Sequence, residues 1–81
     1  MKPAHYVIHI FGGVRKAARA IGRSPGSLSK WTKAKENNGS DGRVPSKAQM
    51  IILALAKERK LDITPQDLMY GRKINAKAKK I

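Results

Sequence analysis

The chain has no cysteine, which removes disulfides, thiolate nucleophiles and thiolate metal sites, and with them any signature of an oxidising compartment. Acidic residues are nearly as scarce, with five Asp and Glu against eighteen Lys and Arg. Glu36, Asp41, Glu58, Asp62 and Asp67 are too scattered to work as a general acid and base, and Glu36 with Asp41 offers too few oxygens for a calcium loop. No enzyme activity is expected. Long apolar runs are missing too: Tyr6 to Phe11 is interrupted by His9, far short of a signal-peptide core or of the roughly 20 residues that span a bilayer. A cytoplasmic protein with no membrane partner is expected. At 81 residues there is room for one domain and one core, with no separate ligand-binding domain, so neither a cofactor nor a small-molecule ligand is expected.

What the sequence does have is positive charge, and it is unevenly placed. The formal net charge is +13, and residues 1–35 contain no acid while carrying Lys2, Arg15, Lys16, Arg19, Arg23, Lys30, Lys33 and Lys35. A one-sided distribution aims a field at a partner, and the partner this field suits is a polyanion. A second basic cluster, Arg72, Lys73, Lys77, Lys79 and Lys80, closes the chain with little apolar content beyond Ile74 and Ile81. It reads as a disordered tail over 72–81, following a folded domain over 1–71.

Apolar spacing predicts helices and no strand. Ala4, Val7, Ile8 and Phe11 recur at three and four residues and stop at Gly12-Gly13, which predicts a helix over 4–11. Val14 to Ile21 places Ala17, Ala18 and Ile21 on one side and Arg15, Lys16 and Arg19 toward the other, with Gly22 as the terminator. Ser24 offers a cap oxygen, Pro25 suits the first helical position, and Leu28 with Trp31 marks the inner face of a third helix over about 25–33. Lys35 to Gly42 is turn-forming throughout and reads as a mobile loop. Pro45 and Ser46 open a fourth helix, with Ser46 and Gln49 at capping-box spacing, running to about Arg59. Its apolar residues exceed one stripe: Ala48, Ile51, Ile52 and Leu55 are expected in the core, while Met50, Leu53 and Ala54 form a second face, either buried or used for self-association. Thr64, Pro65 and Asp67 repeat the cap pattern for a short fifth helix ending before Gly71. The expected architecture is an all-α bundle of about five short helices.

The second and third helices carry the functional signal. Counting from Val14, a small residue stands fifth (Ala18), where two helices cross closely, and a glycine ninth (Gly22), where the turn needs left-handed backbone. Apolar residues fall fourth, eighth, fifteenth and eighteenth (Ala17, Ile21, Leu28, Trp31), the spacing of a DNA-binding helix-turn-helix. Together with Phe11-Gly12-Gly13, Ala17-Ala18-Arg19-Ala20-Ile21-Gly22, Ser29-Lys30-Trp31 and Gly42-Arg43-Val44-Pro45, this spacing resembles the Cro and lambda-repressor-like superfamily over roughly residues 4–71, and within it the short prophage-type regulators. Arg23 departs from the pattern, since its position usually holds an aliphatic residue. Control of transcription in a prophage, as a repressor or activator, is what the resemblance implies.

In such an arrangement the third helix enters the major groove. The expected base contacts are Pro25, Gly26, Ser27, Ser29, Lys30 and Lys33, with Lys30 able to donate to guanine. Arg15, Lys16, Arg19, Arg23, Lys35, Arg43 and Lys47 are expected on phosphates, where they set register without reading sequence. The expected partner is double-stranded DNA in the bacterial nucleoid, bound by a homodimer, because one 81-residue module alone rarely reaches specific affinity; RNA polymerase is a further possible partner. Two other classes fit the same charge: an architectural nucleic-acid binder that ignores sequence, and an adapter whose target is a protein.

Two other motifs match chemistry only in their letters. Gly22-Arg23-Ser24-Pro25-Gly26 spells the nucleophile elbow of serine hydrolases, but that elbow follows a strand and precedes its histidine, whereas a helix precedes this one and both histidines lie upstream. His5 and His9 stand one helical turn apart like two metal ligands, yet no neighbouring cysteine or acid supplies a third. No metal site is expected.

Overall fold

The computed structural model describes residues 1–72, which form five α-helices and no strand. They are α1 (Pro3–Phe11), α2 (Val14–Ile21), α3 (Pro25–Thr32), α4 (Ser46–Arg59) and α5 (Pro65–Tyr70), with a single 3-10 turn at Lys35–Asn37 between α3 and α4. The chain is thus a small all-α bundle. Among the described residues no helix is long and apolar enough to cross a membrane.

Local chemistry accounts for the helix ends. Proline stands in the first turn of α1, α3 and α5, where its missing N–H has no partner to lose. The Ser24 hydroxyl accepts the Ser27 N–H at 3.2 Å and caps α3. At α5 the box is reciprocal: the Asp67 N–H donates to Thr64 Oγ1 at 3.3 Å, and the Thr64 N–H donates to Asp67 Oδ2 at 2.8 Å. The box expected at Ser46 and Gln49 does not form. Pro45 is the N-cap of α4, and Gln49 Nε2 instead donates to the Val44 carbonyl at 2.9 Å, tying the helix to the segment before it.

One core joins all five helices. Leu28, Ile52 and Val7 are its largest fully enclosed side chains, surrounded by Ala4, Tyr6, Ala17, Ala18, Ile21, Trp31, Val44, Ala48, Ala56, Ile63 and Leu68. Each enclosed Leu or Ile contributes about 1.5 to 3 kcal/mol from leaving water. The inward stripe of α4 is Ala48, Ile52 and Ala56, flanked by partly buried Leu53 and Leu55. Ile51, expected inside, is 40% exposed and shares the outer side with Met50 and Ala54. A helix apolar on nearly every side has no unique stripe in its sequence, and the small Ala48 and Ala56 decide which side can approach its neighbours.

The segment after α3 carries more structure than its turn residues imply. The Ser40 N–H donates to the Lys30 carbonyl at 3.0 Å, Asp41 N–H to Lys33 at 2.8 Å and Gly42 N–H to Trp31 at 2.6 Å, so the last carbonyls of α3 are satisfied by the loop. Arg72, read as the first residue of the tail, belongs to the folded body: its guanidinium bonds Asp67 and Asp62 and lies over the Tyr6 ring, 4.9 Å from the centroid. The expectation of a disordered arm over the remaining residues, 73–81, lies outside the described residues.

Candidate nucleic-acid interface

The geometry of α2, the turn and α3 follows from five side chains and one glycine. Ala17, Ala18, Ile21, Leu28 and Trp31 are all buried, Leu28 completely and Trp31 to 3% exposure, so both helices present their inner faces to the same core. Gly22 ends α2 with φ +83 and ψ +31, a left-handed conformation that costs a residue with a Cβ about 1 to 2 kcal/mol. Its N–H and that of Arg23 both donate to the Ala18 carbonyl at 2.9 Å, which closes α2 and turns the chain toward Ser24. The turn therefore fixes α3 against α2 through backbone bonds as well as packing.

With the inner faces accounted for, the outer faces can be read. Pro25, Gly26, Lys30 and Lys33 are exposed along α3 and just after it. Ser27 and Ser29 are partly buried, and the Ser27 hydroxyl lies 3.1 Å from Ser24 Oγ while the Ser29 carbonyl accepts the Thr32 hydroxyl at 2.8 Å. Arg15, Lys16 and Arg19 are exposed on α2. Lys35 and Arg43 line one shallow pocket together with Ser40, Asp41 and Ser46, in front of the first turn of α4, and Lys47 is exposed one residue further on. Arg23 is partly buried, its guanidinium 5.8 Å from the Trp31 ring centroid, so the residue that departs from the aliphatic pattern covers the indole with its stem and charge.

The electrostatics of these cations are set by where the acids went. Asp41 pairs with Lys2 at 2.9 Å, and Asp62 and Asp67 pair with Arg72 at 3.0 and 2.7 Å. The hydrogen bond from Lys2 holds the Asp41 carboxyl below the usual carboxylate range, and bonds from Arg72 do the same for Asp62 and Asp67. Arg72 is raised above its ordinary value by the same bonds. Burial pushes the Tyr6 hydroxyl upward, and that hydroxyl donates to the Asp62 carbonyl at 2.7 Å. Among the described residues none of Arg15, Lys16, Arg19, Arg23, Lys30, Lys33, Lys35, Arg43 and Lys47 has a carboxylate within ion-pair distance. Arg15 and Lys16 moreover stand in the first turn of α2, at the positive end of its dipole and without an acid there.

The two discounted motifs have local explanations. Ser24 Oγ is occupied as a helix cap, and His5 and His9 are exposed on α1. Among the described residues no three His, Cys, Asp or Glu side chains gather as metal ligands. Sequence reasoning missed the cluster of Tyr6, Asp62, Asp67 and Arg72 and the Lys2–Asp41 pair. Both join residues distant in sequence, and the one available signal was Asp67, whose capping role leaves carboxylate capacity to spare. No protein-family model, curated protein or solved structure matches the chain.

Proposed function

We propose that the protein is a sequence-specific regulator of transcription of the short prophage Cro-like kind, which binds double-stranded DNA with α3 in the major groove. The observation that carries this reading is the set of cations on α2, α3 and the following loop, most of them exposed, which make no ion pair among the described residues while Lys2 and Arg72 bond Asp41, Asp62 and Asp67. Such a surface lowers its energy by meeting a polyanion. Its shape matters as much as its charge. Leu28 and Trp31 hold one side of α3 in the core, and the other side offers Gly26 for close approach and Lys30 for a base edge. Arg15, Lys16, Arg19 and Arg23, with Lys35, Arg43 and Lys47, then serve phosphates and set the register.

No bond is made or broken in this mechanism: the bound protein occludes or recruits at a promoter. Two copies on a near-palindromic site would place their α3 helices about 34 Å apart. The outward Met50 and Ile51 of α4 and Met69 and Tyr70 of α5 supply apolar surface for such pairing. A second reading is favoured by one feature of α3, whose first two residues, Pro25 and Gly26, are exposed and carry no side-chain donor, while the Ser27 hydroxyl is engaged with Ser24 Oγ at 3.1 Å. That suits an architectural binder which ignores sequence. Selection of bound sites from random duplex DNA, under excess non-specific competitor, separates the two. The regulator returns a recurring motif, with symmetry if it pairs; the architectural binder returns none.

A further inference from the structure

The outer side of α4 carries a second line of residues. Lys47, Ile51, Ala54 and Glu58 follow at intervals of four, three and four, so that all of them lie within about 60° of one another around the helix. Each is exposed, and Met50, 75% exposed, borders the line. The opposite side, with Ala48, Ile52 and Ala56, already holds α4 in the core. The outer line has an apolar centre, a cation at one end and an acid at the other.

Such spacing is that of a seam in which each residue meets one on a facing helix. The order of the residues decides how a facing helix fits. When two copies of α4 lie antiparallel about an axis level with the bond between Ile52 and Leu53, position 51 faces 54 and position 47 faces 58, twice each. Ile51 then packs on the partner's Ala54, large against small, which lets the helix axes approach to about 8 to 10 Å. Lys47 faces the partner's Glu58 at both ends. Within one copy these two stand about 16 Å apart along the helix, too far to pair. Glu58 is the one acid on α4 and makes no ion pair among the described residues. Its neighbours Lys57 and Arg59 stand about 100° to either side of it, off the line. A parallel arrangement sets Lys47 against Lys47 and Glu58 against Glu58, whereas the antiparallel one also brings opposite dipole ends together.

We propose that the outer face of α4 is the docking surface for a second copy of this chain, held antiparallel by Ile51 on the partner's Ala54 and by Lys47 with the partner's Glu58. The pairing deepens the duplex-binding reading, on which its purpose rests, by naming the face through which two α3 helices are held on one site. An ammonium has three donors, so Lys47 can bond the partner's Glu58 and still serve a phosphate.

The test is sedimentation equilibrium of the full chain without DNA, in moderate salt because a net charge of +13 opposes association. The unaltered chain should form dimers at submillimolar concentration. Lys47→Glu and Glu58→Lys should each weaken the dimer by about tenfold or more by setting like charges face to face, and the double variant should return to within about threefold of the unaltered chain. Lys47→Glu lowers the net charge, so weakening by that variant cannot come from overall repulsion. Ala54→Glu should abolish pairing while circular dichroism and thermal unfolding show the helices intact, since position 54 is exposed. A chain that stays monomeric, a double variant that associates no better than either single one, or a dimer indifferent to Ala54→Glu overturns the proposal and leaves the α3 reading to the selection of bound sites. A dimer that behaves as expected in a chain that selects no duplex sequence upholds the pairing and overturns the regulator reading instead.

Discussion

The guanidinium of Arg23 lies over the indole of Trp31, 5.8 Å from the ring centroid, across the turn between α2 and α3. One residue supplies the turn and the other the inner face of the helix proposed to enter the groove, so the pair ties the orientation of α3 to a cation. Such a contact is worth about 0.5 to 1 kcal/mol at a partly exposed site. Arg23→Met should keep most of the packing, and Arg23→Ala should lose about 1 kcal/mol in urea unfolding. If Arg23 also meets a phosphate, both variants lower the salt slope of DNA binding by about 0.9. Trp31 is the only tryptophan, so its fluorescence reports unfolding and any change at this contact without a label.

Core and surface residues of α3 should separate cleanly. Leu28→Ala removes a fully buried side chain and should cost about 2 to 5 kcal/mol of stability, seen as a lower urea midpoint at unchanged slope. Lys30→Ala, at an exposed position, should leave the midpoint within about 0.5 kcal/mol. Its expected effect is on recognition, a loss of about 1 to 3 kcal/mol of discrimination at one base position in competition binding. Arg15→Ala should weaken all duplexes alike. A Lys30→Ala protein with unaltered preference among sequences would argue against base reading by α3.

Gly22 offers a test of the turn alone. At φ +83 a Cβ meets no neighbour, so Gly22→Ala isolates backbone strain from crowding. The expected cost is about 1 to 2 kcal/mol, with Gly22→Asn recovering part of it because asparagine tolerates the left-handed region. Thermal unfolding of the three proteins gives the order directly.

Acid should loosen the fold through Asp67 and Asp62. Their carboxyls are held below the ordinary value near 4 by Arg72, so their contribution is complete above that value and disappears as pH falls below it. Tm should be flat from pH 7 to 5 and drop below about pH 4. Asp67→Asn, which weakens the bonds to Arg72 at a residue only 4% exposed, should lower stability at pH 7 by about 1 to 3 kcal/mol and flatten the acid limb.

Helix positions were legible because their signals are local. Pro25 after Ser24, Pro65 after Thr64 with Asp67 following, and Gly22 after Ile21 each impose a backbone state on their own neighbours, and the observed ends of α2, α3 and α5 stand within one residue of what those signals imply. The inner positions of α2 and α3 were legible because Ala18, Leu28 and Trp31 differ sharply in size from what stands on the outer face. On α4 that contrast is missing. Ile51 and Ile52 are the same residue type, and only the packing of Ala48 and Ala56 against the other helices places one outside and the other in the core. Arg72 was misread for a different reason: a basic run looks uniformly solvated until two acids, five and ten residues away in sequence, are brought to one of its members. The division of base and phosphate roles among the cations of α2 and α3 was not legible, since neither exposure nor spacing distinguishes a base edge from a phosphate.

Because Lys2 and Arg72 hold Asp41, Asp62 and Asp67, the cations of α2 and α3 repel one another with no carboxylate at ion-pair distance among the described residues. Dissolved salt then acts on the molecule in two opposing senses. Raising ionic strength shields that mutual repulsion and firms the fold, while the same ions would weaken the proposed hold on a duplex. If the proposed duplex binding holds, the protein is least robust in the dilute buffers that favour the complex, and the duplex itself then serves as its stabiliser.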